Sequence, residues 1–158
     1  MKRVGSGTRD RVLAAIEIVA LGIWVGAMIG FAFIVAPLAF RLIAPLDLAR
    51  FAALTAQTVA ALTEWGYALG GVALLSALLR AVEAGDRTGD IVRAGLIAFA
   101  LGLATYEQRA VVPAMAAIAD LGSPQYRALH QRSSAVYGGA VILALAALTL
   151  AAARREPS

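Results

Sequence analysis

The sequence contains no cysteine and a single histidine, His130, among its 158 residues. Without cysteine there are no disulfides, no thiolate metal sites and no cysteine nucleophile. One histidine cannot supply two-histidine haem ligation within one chain. With three methionines, one of them Met1, a copper site built from several Met and His side chains lacks ligands. Charge is scarce as well: Asp, Glu, Lys and Arg make up 15%, where a soluble domain has about a quarter. No phosphate loop, Ser-His-acid order or paired zinc signature is present. These absences predict a protein that is not an enzyme and carries no cofactor.

What the sequence has in excess is apolar residues, 61% of the total, with a mean hydropathy of +0.79. The charged residues gather between long apolar runs and do not form a polar skin, so the outer surface is expected to face lipid. The net charge of +4 could speak for nucleic acid, but that would need one solvent-facing basic surface. None is available. The expected surroundings are the lipid bilayer and a homo-oligomer or larger membrane complex, with no nucleic acid, and the arginines are read as loop charges that orient the chain.

Four apolar runs stand out. The first, Val12 to Phe40, carries only Glu17 and is far longer than the roughly 7 to 15 apolar residues of a secretory signal. The second covers Ala60 to Leu79 and stops at Arg80; the third covers Ala94 to Ala119, interrupted by Tyr106, Glu107, Gln108 and Arg109; the fourth covers Ala135 to Ala153. Unbroken runs of this length do not alternate as barrel strands must, so the predicted fold class is all-α, a four-transmembrane-helix bundle. The organisation reads as a basic N-terminus over 1–11, a membrane domain over 12–153 and a tail over 154–158. Glu17 is expected at the cytoplasmic border, within reach of headgroup water. One side holds Lys2, Arg3, Arg9, Arg11, Arg80, Arg87, Arg93, Arg154 and Arg155, the other Arg41, Arg50, Arg109, Arg127 and Arg132. This asymmetry predicts a bacterial inner-membrane protein with both termini and the middle loop cytoplasmic.

The outer connections repeat. At an offset of 76 residues Pro37 falls on Pro113 and Asp47 on Ser123. Gly122-Ser123-Pro124 combines a helix-ending glycine, an N-cap serine and a proline at the first helical position, and Asp47 can cap a helix in the same way. The second and fourth helices are therefore predicted to start near Leu48 and Pro124, in two tandem helical hairpins forming a parallel repeat.

Gly22, Gly26 and Gly30, four residues apart, form a stripe on which another helix can lie closely, and Gly66 and Gly70 repeat the spacing. Ionisable groups inside spans are costly and point to function by default. Glu64 lies in the second helix beside Trp65 and Tyr67, Glu107 and Arg109 in the third, and His130 and Ser133 open the fourth. Tyr126, His130, Ser133 and Tyr137 share one helical face. The expectation is a polar intramembrane cluster of Glu64, Glu107, Arg109, His130 and Ser133, serving as a plug that fixes register or as a working site.

At the stretches Gly22-Ile23-Trp24-Val25-Gly26 to Val35-Ala36-Pro37, Val112-Pro113-Ala114-Met115 and Leu129-His130-Gln131-Arg132-Ser133, the chain resembles the transmembrane-protein-205-like domain family of small membrane proteins. The resemblance runs from about residue 12 to 153 and implies a four-helix membrane domain without an agreed activity. The first span is also similar to the copper-resistance D type of membrane domain, which implies copper handling; the missing histidines and methionines depart from that. The expected function is a non-enzymatic accessory subunit or small transport-related module. The alternative is a metal- or haem-associated membrane protein using His130.

Overall fold

The computed structural model describes residues 6–83 and 88–153. Among these residues four helices are long and apolar enough to cross a membrane: α1 (Gly7–Ile43), α2 (Leu48–Val82), α3 (Thr88–Ala116) and α4 (Pro124–Ala152). At 1.5 Å per residue even the shortest measures about 43 Å, against a hydrocarbon core of roughly 30 Å. The fold is all-α and fits a multi-pass membrane protein. Lys2, Arg3, Arg87, Arg154 and Arg155, and with them the outer parts of the expected terminal segments, lie outside the described residues.

Each helix turns small or apolar side chains inward at alternating steps of three and four, the spacing of left-handed helix packing. On α1 the buried positions are Glu17, Leu21, Trp24, Met28 and Phe31; on α4 they are Ala140, Ala144, Ala147 and Ala151. On α2, Gly66, Gly70, Ala73 and Ala77 are buried, and Arg80 continues the same face. A Cβ on Gly66 would stand 2.6 Å from Trp24 Nε1, and one on Gly70 2.8 Å from Leu101 Cδ2. These two glycines therefore seat the Trp24 indole against α2. The other stripe behaves differently. Nothing lies within 4 Å of a Cβ built on Gly22, Gly26 or Gly30, so within one chain that stripe carries no helix.

The hairpin repeat extends to the main chain. Asp47 Oδ1 accepts from the Arg50 amide at 2.8 Å, and Ser123 Oγ accepts from the Tyr126 amide at 3.1 Å. Both caps therefore sit where the sequence placed them. Residues Phe31–Val35 of α1 and Glu107–Val111 of α3 each form one π-helical turn, closed by bonds from the Ala36 amide to Phe31 O and from the Val112 amide to Glu107 O. The cause is local. Pro37 and Pro113 have no N–H and their rings would strike the carbonyls four residues back, at Phe33 and Arg109, so the chain widens by one residue just before each proline. Tyr106 to Arg109, expected to interrupt the third span, stay helical, Tyr106 as the last α-helical residue and Glu107 to Arg109 in this turn.

Candidate functional site

The two ends of the packed helices differ. At the end that holds residues 6 and 153, four charged side chains are fully buried: Glu17, Arg80, Asp90 and Arg93, none more than 2% exposed. Arg80 reaches Glu17 Oε2 through Nη1 at 2.7 Å, Asp10 Oδ1 through Nε at 3.0 Å and Asp90 Oδ1 at 3.8 Å. Arg93 donates through Nε to Glu17 Oε1 at 3.0 Å and through Nη2 to Asp90. Each buried carboxylate thus meets two guanidinium groups, as charges taken out of water require. The network ties α1, α2 and α3 together and closes this end.

This arrangement corrects three expectations. Glu17 does not reach headgroup water, because its position on the Leu21–Trp24 face turns it inward. Arg80 and Arg93 are not loop charges, since both lie on the buried faces of their helices. The signal was present in the spacing: Gly66, Gly70, Ala73 and Ala77 run in steps of four, three and four, and a further three reaches Arg80.

At the opposite end the two hairpins part. Between them lies a crevice of about 890 Å³, lined from α1 by Phe31 and Phe40, from α2 by Phe51 and Val59, from α3 by Glu107 and Met115, and from α4 by Ser133 and Val141. Phe33, Phe40 and Ile142 line it while being more than half exposed on the outer surface. They form its rim. Tyr137 braces the floor, donating to Met28 O at 3.0 Å and meeting the Phe31 ring edge-on at 6.3 Å between centroids.

The residues expected to form one polar cluster separate. Glu107 is 3% exposed and Ser133 Oγ donates to its Oε1, joining α3 to α4. His130 lines the crevice further out, its ring 6.3 Å from that of Tyr126. All four of Tyr126, His130, Ser133 and Tyr137 line the crevice. Glu64 and Arg109 are exposed and stand outside it. The reason is helical phase. Glu64 is two residues from buried Gly66 on an α-helix, a turn of about 200° from the inner face, and Arg109, two residues past buried Glu107 in the π-helical turn, likewise faces away. The exposed aromatic side chains Trp65 and Tyr67 flank Glu64, and Tyr67 donates to Thr105 Oγ1 at 3.1 Å.

Among the described residues, Glu107 Oε2 is the one buried side-chain oxygen or nitrogen without a hydrogen-bond partner. A small cavity of about 20 Å³ behind it, lined by Trp24, Thr63 and Tyr137, has room for one water. Anything larger reaches Glu107 from the crevice. No group of three or more His, Asp or Glu side chains that could hold a metal ion occurs among the described residues.

A family match covers residues 19–124, from the middle of α1 to the first residue of α4. The chain belongs to the family described as Domain of unknown function (DUF4149). The matched part includes both π-helical turns, both caps, Arg80, Arg93 and Glu107, while Glu17, His130 and Ser133 lie beyond it. Neither the curated proteins nor the solved structures give a match.

Proposed function

We propose that this chain is a non-enzymatic, transport-related module of the bacterial inner membrane, with both termini cytoplasmic, which holds an apolar amphiphile in the crevice between its hairpins and acts alone or as an accessory subunit. The observation that carries this reading is the crevice itself: about 890 Å³ of space falls in the range of roughly 300 to 1,000 Å³ usual for small-molecule sites, which are mostly apolar with a few convergent polar groups. Its lining fits that description, with Glu107, His130 and Ser133 set among Phe, Val, Met and Ala side chains. The rim formed by Phe33, Phe40 and Ile142 is apolar and exposed, and acyl chains reaching it would give an apolar guest a lateral way in. The ion network closes the other end, so the crevice is blind in that direction. The finer resemblance to the transmembrane-protein-205-like family rests on its short motifs alone and adds no chemistry. The alternative, a metal or haem held by His130, would rest on that one side chain, since no group of three or more His, Asp or Glu side chains that could hold a metal ion occurs among the described residues.

Binding of an uncharged fluorescent acylglycerol to purified protein in nanodiscs tests the reading. Gly138 lines the crevice and a Cβ on it meets nothing within 4 Å. Gly138→Phe should fill the space without disturbing the packed core and weaken binding at least tenfold, with the melting temperature unchanged. Saturable binding that is equal in both proteins would place the guest elsewhere and sink the proposal.

A further inference from the structure

We infer that Glu107 is the anchor for a positively charged head group, so that the molecule accepted by the crevice is a lipophilic cation such as a protonated amphiphilic amine. This rests on the reading of the crevice as an apolar binding site and gives its guest a chemistry. Glu107 is buried at the crevice wall; one oxygen takes the Ser133 hydroxyl and the other has no partner among the described residues. A carboxylate out of water takes up a proton unless a cation is brought to it. Among the described residues no Lys or Arg side chain lines the crevice, Arg109, two residues along, faces outward, and the cation the wall itself can offer is a protonated His130, exposed toward the mouth. Thr63, Ser133 and Tyr137, which lie around the carboxyl, are neutral hydroxyl groups. His130 stands one turn outward from Ser133, toward the mouth.

The walls favour the same guest. Phe31, Phe40, Phe51, Tyr126 and Tyr137 all line the crevice, and aromatic faces attract a cation within about 6 Å of the ring centroid while tolerating its apolar substituents. An anionic head would meet the Glu107 charge in a medium that screens it little, and a neutral head would leave that charge uncompensated. The single-water cavity behind the carboxyl excludes approach of any larger cation from the closed end.

The test uses two ions of nearly the same size and shape and opposite charge, tetraphenylphosphonium and tetraphenylborate, as competitors of the uncharged acylglycerol in nanodiscs of zwitterionic lipid, each corrected for partition into protein-free discs. The cation should displace the probe at a concentration at least tenfold below that of the anion. In Glu107→Gln, which keeps an acceptor for Ser133 Oγ, the ratio of the two displacing concentrations should fall to near one, whatever the change in affinity for the probe itself. A wild-type protein that does not distinguish the two ions would overturn the inference, as would a preference that survives in the variant. If Glu107→Gln does not fold, the wild-type comparison decides alone. Binding of the neutral probe that Gly138→Phe blocks, with no charge preference, would leave the crevice reading standing and remove only the cation; no blockable binding at all would remove both.

Discussion

Arg93 of α3 donates from Nε to Glu17 Oε1 of α1 at 3.0 Å, and the two residues stand 76 positions apart in the chain. This is the offset that lays Pro37 on Pro113, Asp47 on Ser123 and one π-helical turn on the other. Equivalent positions of the two hairpins thus meet in the interior, one carrying a carboxylate and the other a guanidinium. Opposite charges at these two positions make the contact between the hairpins attractive and the two halves inequivalent.

The network makes the first prediction. Removing one member of a fully buried ion group leaves its partners uncompensated, which costs on the order of 3 to 5 kcal/mol. Glu17→Leu should therefore lower the stability of the protein in detergent by about that amount. Combining it with Arg93→Met should cost less than the sum of the two single changes, with a coupling of roughly 0.5 to 3 kcal/mol. Unfolding titrations followed by circular dichroism measure both. Additive losses would mean that the two side chains do not act together.

Packing at the glycines gives the second. A Cβ on Gly66 would press into Trp24, so Gly66→Ala should destabilise by about 1 to 3 kcal/mol, the range for overpacked sites. Gly26 faces open space in one chain. Gly26→Leu should leave the melting temperature of the monomer unchanged, and a loss of a larger species in size-exclusion chromatography would assign the Gly22–Gly26–Gly30 stripe to a contact between copies.

Orientation is the third. Fusion of reporters active on only one side of the membrane should place the C-terminus in the cytoplasm and the loop at Gly122 outside. Arg9 and Arg11 of the N-terminal segment belong to the arginine excess on the side predicted to be cytoplasmic. Replacing Arg9 and Arg11 by Gln should yield a fraction of inverted molecules. A cytoplasmic Gly122 loop in the unaltered protein would reverse the assignment.

The elements themselves could be read from the sequence because their causes are local: run length for the spans, Asp47 and Ser123 for the caps, Pro37 and Pro113 for the paired irregularities. The facing of polar residues could not be read as easily. In a soluble helix the apolar stripe marks the inside, but in lipid both faces are apolar and the contrast that reports phase is lost. Chemistry alone places Glu64 and Arg109 inward, and the position of Arg80 and Arg93 at the borders of apolar runs assigns them to the middle loop. Small residues preserve the phase that hydrophobicity conceals. The Gly66-Gly70-Ala73-Ala77 series points to Arg80, and on α3 the steps from Ile97 and Ala100 to Glu107 and Val111 identify Glu107 as an inward carboxylate. The crevice had no sequence signal of its own, since it arises from two hairpins parting beyond their π-helical turns.

The central claim is that the space between the hairpins receives a guest, and photolabelling of the unaltered protein in nanodiscs tests it most directly. An uncharged amphiphile bearing a diazirine on its acyl chain is activated in place and the adducts are mapped by mass spectrometry. Adducts should concentrate on crevice residues such as Ala56, Val59, Gly138 and Val141, and excess unlabelled amphiphile should suppress them. Labelling spread evenly over lipid-facing positions such as Val19, Leu75 and Phe99, and indifferent to competitor, would contradict the account.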